Sequence, residues 1–382
     1  MKKVLFVLNG FRFGGLTKIN TVIANALGKN NEVTLLNLGR AGCPFPISVS
    51  IVQDKDGAQK INDSLPKALR KLTQLTRLPY NPSLFERDKI EKICSQIEKR
   101  NIDVIVLNAY QITFASHIRK KFPNITILGW LHNNADVYIH KFFRSFKKAF
   151  LKGIEASDLL ICLTESDKKT FQKYTAKAVC VYNPLSLAES GQQASLDVQT
   201  ISFVGRVDIA QKGIDYLCEI ASNLPDGWKI KVAGPGKKSA KKKFEKLQAK
   251  HQTGDKLIYV GALKGKKLIN HYKNSSIFIM TSRWEGMPLV LAEAMNFGLP
   301  IIAFEQSGAN EALDFGAFGE IVEQGNVSSF NNVLKNYIDS LDSREKLASL
   351  SKERVSAFSL KLATETWEDI ITNPARFLSK QI

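Results

Sequence analysis

Short β-rich apolar runs alternate along the chain with stretches of helical character. In the first half VLFVL (4–8) precedes a helical stretch near 17–28, and EVTLLNL (32–38) follows it. DVIVLN (103–108) leads into a helix near 110–120, and ITILGWLH (125–132), DLLICLT (158–164) and AVCVY (178–182) complete the series. Strands separated by helices form βα units on a parallel sheet. Tyr182-Asn183-Pro184 and the polar run 186–200 interrupt the pattern and read as a linker. A second series then begins with ISFVG (201–205), WKIKVAG (228–234), LIYVG (257–261), SIFIM (276–280) and LPIIAF (299–304). The pattern predicts two doubly wound α/β domains in tandem, 1–185 and 186–365. Ligands of such sheets bind outside the carboxyl ends of the strands, so a cleft between the two domains is the expected site. Between 40 and 85 prolines and basic residues obscure the periodicity, and an insertion or a mobile loop is expected there.

At 382 residues the chain is too long for one ordinary domain and suits two. No apolar run approaches the roughly 20 residues that cross a bilayer. MKKVLFVLNG is too short a run for a signal-peptide core and reads as the first strand. Five scattered cysteines without a CxxC indicate neither a zinc site nor a disulfide framework, which places the chain in a reduced, cytoplasmic setting. Charge changes the picture. The net +18 is uneven: residues 1–185 hold 29 Lys and Arg against 14 Asp and Glu, and the rest holds 25 against 22. A basic first half implies an anionic partner, whether lipid, acidic polymer or nucleic acid.

The chemistry concentrates in TSRWEGMPLVLAEAMNFGLPIIA, Thr281 to Ala303. Glu285 and Glu293 flank the start of a helix. Pro288 fits its first position, and Gly298-Leu299-Pro300 stops it. A carboxylate before a helix, an N-terminus open to anions and a second carboxylate inside suit a polyhydroxylated anion such as a nucleotide sugar. Phe203-Val204-Gly205-Arg206 ends a strand, with Lys212-Gly213 six residues on. Arg206 and Lys212 would bring two cations to a diphosphate; the alternative is an ordinary surface turn. Gly10 to Lys18, GFRFGGLTK, is neither a P-loop nor GxGxxG. Its Gly14-Gly15 pair presents N–H groups to a phosphate or sugar, or simply makes a tight turn. His132 ends a strand-like run and is structural or faces the cleft. HKFFRSFKKAFLK (140–152) sets four phenylalanines at helical spacing opposite Lys141, Arg144, Lys148 and Lys152. It reads as a basic amphipathic helix that packs in a core, meets lipid head groups, or does both. LPKALRKLTQLTR (65–77) is a second such stretch, and the lysine-rich 236–250 reads as a solvated helix face.

Together these segments resemble glycosyltransferase family 4 (group 1), the retaining nucleotide-sugar transferases of GT-B fold with two Rossmann-like domains. The resemblance rests on Gly14-Gly15, His132, Asn183-Pro184, FVGR…KG (203–213), AGPGK (233–237), EGMPLVLAE with GLPIIA (285–303), and the terminal FSLKLATETWEDI (358–370). It implies a donor domain at 186–365 and an acceptor-side domain at 1–185, onto which a closing helix near 366–382 packs back. It implies that Arg206 and Lys212 hold the donor diphosphate in place of a metal ion. Glu285 would meet the transferred sugar, and Gly205 and the N–H groups of Gly286, Met287 and Leu289 would meet sugar and phosphate. Glu293 would meet the ribose, His132 the sugar and Gly15 the phosphate. The chain departs from many relatives in placing Leu-Thr-Lys, not an early glutamate, after the paired glycines. Asp54-Lys55-Asp56 matches the DxD of metal-dependent sugar transferases of another fold, but it reads as a solvated turn, so no metal and no cofactor beyond the nucleotide sugar is expected. The expected activity is transfer of a hexosyl unit from a UDP-sugar to a polysaccharide, teichoic acid or lipid-linked acceptor at the inner face of the plasma membrane. A non-catalytic glycosyltransferase-like subunit is the alternative, and it would have lost the charged site residues. Nucleic-acid binding rests on charge alone and is not expected.

Overall fold

The computed structural model describes residues 1–11, 14–39, 42–53, 72, 82–187 and 191–379. Asp54 to Asp56 and nearly all of 65–77 lie outside the described residues. The chain divides into two compact units, Met1–Asn183 with Leu360–Ile382, and Pro184–Ser359.

Among the described residues seven strands form the sheet of the first unit: β1 (Lys3–Leu8), β2 (Glu32–Asn37), β3 (Ser50–Gln53), β4 (Val104–Asn108), β5 (Thr126–Trp130), β6 (Leu159–Cys162) and β7 (Ala178–Cys180). Their order is β3-β2-β1-β4-β5-β6-β7, and every pairing is parallel. Val4 to Leu8 and Val104 to Leu107 are buried, which is why these strands read as unbroken apolar runs and not as alternation. The order reverses between β1 and β4, which creates a switch point at their carboxyl ends. Helix Arg87–Arg100 buries Ile90, Ile93, Cys94 and Ile97 at helical spacing. The helix Leu360–Thr372 belongs to this unit. Its Trp367 packs 4.6 Å from Trp130 and 6.0 Å from Phe6, centroid to centroid. Glu368 accepts from the side-chain amide of Asn31 at 2.9 Å.

Two expected helices differ from their predicted form. The stretch near 110–120 is a 3-10 turn, Ala109–Phe114, followed by the helix Ala115–Lys121. A Cβ on Gly153 would stand 1.9 Å from the Ile112 carbonyl oxygen, so the 3-10 turn presses directly on a neighbouring backbone. The single helix expected over 140–152 is three pieces: a π-turn Val137–Phe142, a 3-10 turn Arg144–Phe146 and an α-helix Lys147–Ala156. The cause is tertiary. Phe143 stacks on Tyr138 at 4.8 Å, and also meets Phe146 at 5.0 Å and Phe150 at 4.6 Å. One regular helix cannot aim all these rings at one cluster, and packing overrides helix propensity. Phe142 is left exposed, as are Lys141, Arg144, Lys148 and Lys152.

The second unit has six parallel strands, β8 (Thr200–Val204), β9 (Lys229–Ala233), β10 (Leu257–Gly261), β11 (Ile277–Met280), β12 (Ile301–Phe304) and β13 (Glu320–Val322), in the order β10-β9-β8-β11-β12-β13. The order reverses between β8 and β11. The segment expected to be a linker runs along this unit: the backbone N–H of Ala194 donates to Phe297 O and that of Ser195 to Lys273 O, both at 2.9 Å. No helix among the described residues is long and apolar enough to cross a membrane.

Candidate functional site

The loops after β8 and β11 flank the switch point of the second unit, and side-chain-free backbone lets them close on each other. Gly213 ends the short helix Ile209–Lys212 in the left-handed conformation, φ 63°. A Cβ there would lie 2.1 Å from the carbonyl oxygen of Thr281. Thr281 in turn donates its hydroxyl to Lys212 O at 2.8 Å. This clasp carries Lys212 Nζ to within 2.5 Å of Glu285 Oε1. Both side chains are largely buried. Arg206 stays half exposed and donates through Nη2 to Gln211 Oε1 at 2.7 Å. The same Gln211 donates through Nε2 to Trp284 O at 3.2 Å, so one amide ties Arg206 to the loop that carries Glu285. Behind the loop Arg283 makes a two-pronged pair with Asp215, at 2.9 and 2.6 Å, and lies over the Tyr216 ring.

Gln306 organises the start of the next helix. Its Oε1 accepts from the backbone N–H of Glu285 at 3.2 Å and of Gly308 at 2.8 Å. Gly308 fits because a Cβ would be 2.3 Å from Gly286 O. Pro288 is the residue before the helix, with φ −74° and ψ 110°, and not its first turn. Its extended ψ sets the helix to begin at Leu289. The N–H groups of Gly286 and Leu289 take no hydrogen bond among the described residues. They lie at the positive end of the helix Leu289–Asn296. That helix closes with Gly298 N–H on Met295 O and Leu299 N–H on Ala294 O, Gly298 having φ 68°. Inside it, Glu293 is buried and accepts from the Ser186 hydroxyl at 2.6 Å and the Tyr272 phenol at 2.9 Å. Burial and the Glu293 carboxylate push the Tyr272 phenol well up, which keeps it a donor. Arg206, Lys212, Gly205, Glu285, Gly286, Met287, Leu289 and Glu293 thus all lie on the second unit, on the elements around its switch point.

Gly15 and His132 belong to the first unit. Gly14, fully extended at φ 161°, precedes the helix Gly15–Leu27, and a Cβ at Gly14 would meet nothing within 4 Å. His132 stands two residues beyond β5. Its Nε2 lies 2.5 Å from Asn108 Oδ1, at the end of β4, and its backbone N–H donates to the Tyr138 oxygen at 3.1 Å. Burial pushes the imidazole down to about 3, so the ring is neutral at pH 7. Among the described residues no cluster of three or more His, Cys, Asp or Glu is placed to hold a metal ion.

Gln211, Gln306, Ser186, Tyr272 and Asn108 are positioned by these contacts and were not among the expected site residues. Uncharged amides and hydroxyls carry no periodicity or charge signal. Only the nearness of Gln211 to Lys212, and of Gln306 to the strand IIAF, hinted at them.

Comparison with known proteins agrees with this geometry. Residues 189–354 match the family model described as glycosyl transferases group 1. An uncharacterized glycosyltransferase of Haemophilus influenzae is 24% identical over 380 residues, 97% of this chain and 100% of that protein. The amylovoran biosynthesis glycosyltransferase AmsD of Erwinia amylovora is 25% identical over 385 residues, again 97% and 100%. Among solved structures, Anabaena Alr3699/HepE in complex with UDP and glucose superposes with a TM-score of 0.73 at 14% identity, covering 97% of this chain and 100% of that one. Two parallel α/β sheets with this strand order, the site loops around the second switch point and the full-length relatives lead to one conclusion: the chain is a glycosyltransferase of the group 1 family (family 4), with the GT-B fold.

Proposed function

We propose that this glycosyltransferase moves a hexosyl unit, with retention of configuration, from a UDP-sugar to a cell-surface polysaccharide, teichoic acid or lipid-linked acceptor. The observation that carries the reading is the Lys212–Glu285 pair with Arg206 beside it at the switch point of the second unit. Arg206 and Lys212 hold the donor diphosphate and stabilise the charge that grows on the leaving group, a task a metal ion performs elsewhere. Glu285 takes hydroxyls of the transferred sugar, and Gly205 and the N–H groups of Gly286, Met287 and Leu289 take sugar and phosphate oxygens. Glu293 accepts from the ribose. On the first unit, His132 is assigned to a sugar hydroxyl and Gly15 to a phosphate oxygen.

The solved relative with UDP and glucose supports the choice of base, and the Erwinia relative supports a polysaccharide product. An anionic membrane as the workplace is supported by the basic first half and by exposed Lys141, Arg144, Lys148 and Lys152. Each such cation near a charged surface contributes about 1 kcal/mol. The test is a panel of nucleotide sugars, read first by thermal shift and then by hydrolysis or transfer. Stabilisation by UDP-sugars is expected, and a chain that no nucleotide sugar stabilises would refute the reading. Flotation with anionic and neutral vesicles tests the membrane part, and equal binding to both would refute it.

A further inference from the structure

His132 has one ring nitrogen without a partner among the described residues, and its neighbours dictate the state of that nitrogen. Asn20 and Asn108 are both buried and face each other. Asn20 Nδ2 donates to Asn108 Oδ1 and Asn108 Nδ2 to Asn20 Oδ1, each at 2.9 Å. Carbonyls outside the pair fix both amide orientations. Asn20 Nδ2 also donates to Leu16 O at 2.9 Å, and Asn108 Nδ2 to Val7 O at 3.0 Å. Turning either amide over would set oxygen against oxygen. The Asn108 atom 2.5 Å from His132 Nε2 is therefore a carbonyl oxygen, which can only accept. Nε2 must carry the proton. A neutral imidazole has one ring proton, so Nδ1 presents a bare lone pair. Nδ1 takes no hydrogen bond among the described residues. The ring has little freedom to turn, because Trp130 packs 4.5 Å from it and Tyr138 holds the His132 backbone N–H.

We infer that Asn108, itself held by Asn20 and the Val7 carbonyl, is a positioning residue that locks His132 in the Nε2–H tautomer and presents Nδ1 as an acceptor for a sugar hydroxyl. The sugar hydroxyl rests on the functional reading above; the tautomer does not. The arrangement also sorts ligands, because a hydroxyl can donate to Nδ1 while a phosphate or carboxylate oxygen is repelled by its lone pair.

A two-bond 1H–15N correlation spectrum of the uniformly 15N-labelled full chain tests this, with the His132 ring assigned by its absence in His132→Gln. The expected pattern is an Nε2-protonated ring that does not titrate between about pH 5 and about pH 8. In Asn108→Asp the carboxylate still accepts from Nε2–H, but its charge favours the imidazolium. That ring should begin to titrate in the same range, and UDP-glucose turnover should fall by about 10- to 100-fold, most at the acid end. An Nδ1-protonated ring in the wild-type chain overturns the inference. The wild-type spectrum decides the tautomer even where the variant does not fold. A wild-type chain with the expected ring pattern but no turnover of any nucleotide sugar overturns the functional reading instead.

Discussion

Lys212 and Glu285, 73 residues apart in sequence, meet at 2.5 Å with side chains only 13% and 11% exposed. The contact depends on Gly213, whose missing side chain lets the two loops touch. Breaking such a pair leaves one charge in a poorly hydrated place. Lys212→Met and Glu285→Gln should each abolish sugar transfer. Lys212→Met should also lower the unfolding free energy by ~2–4 kcal/mol. The double variant should cost clearly less than the two single losses added together. Urea unfolding of the four chains checks this, and strict additivity would show that the pair is not coupled.

Arg206 offers a contrast, because it is half exposed and tied down only lightly, by Gln211 and a long 3.9 Å pairing with Asp208. Arg206→Ala should leave stability within about 0.5 kcal/mol of wild type. Loss of a preorganised charge donor should nevertheless lower kcat by about 100- to 1,000-fold. Parallel melting curves and donor turnover measure the two effects separately. A variant that transfers sugar at the wild-type rate removes Arg206 from the diphosphate site.

How much of this was legible in the sequence follows from which residues had a signal. Buried parallel strands such as β1 and β11 are continuous apolar runs, and both were visible from pattern alone. Strand β3, SIVQ, sits at a sheet edge with three of its four residues exposed, and β13 is only three residues long. Neither offers a period to read. Glu285 and Glu293 were visible because two carboxylates around a helix start form a local pattern. Their partners were not. Gln306 lies 21 residues from Glu285, and Ser186 lies 107 from Glu293, and only the folded sheet brings each pair together. The aromatic stripe at 140–152 misled for the same reason, since its spacing is helical but its rings converge on Tyr138.

Gln306 holds two backbone N–H groups with one oxygen, those of Glu285 and Gly308. Gln306→Ala removes the acceptor for both and frees the loop that carries Glu285. The expected cost is ~1–3 kcal/mol of stability, with a rise in donor KM because the loop must be ordered on binding. Gln306→Glu keeps an acceptor and should restore stability in part. Equal losses in both variants would show that the oxygen is not what matters.

His271 supplies a pH dependence in the second unit. Its ring is buried, and Nε2 lies 2.8 Å from the Ser202 hydroxyl on β8. Burial, aided by the charge of Lys231, pushes the imidazole down to about 4 from an ordinary 6.5. The unfolded chain therefore binds a proton at pH values where the folded chain does not. Stability from this group is fully present above about pH 6.5 and is lost as the pH falls toward 4, by up to ~3 kcal/mol. His271→Gln keeps a polar group beside Ser202 but cannot titrate. Its unfolding free energy should be lower than that of wild type at neutral pH, and it should fall less steeply below pH 6.5. His132, pushed down to about 3 in the first unit, contributes a slope of the same sign and is untouched by the substitution. Part of the acid sensitivity should therefore survive in His271→Gln and shrink further in the double variant with His132→Gln. The remainder comes from groups such as His117, which burial also pushes down, and Asp215, where burial is outweighed by Arg283, which holds the carboxyl low. Urea titrations at several pH values, followed by tryptophan fluorescence, separate the two shares. Identical slopes in wild type and His271→Gln would mean that His271 is already charged in the folded chain.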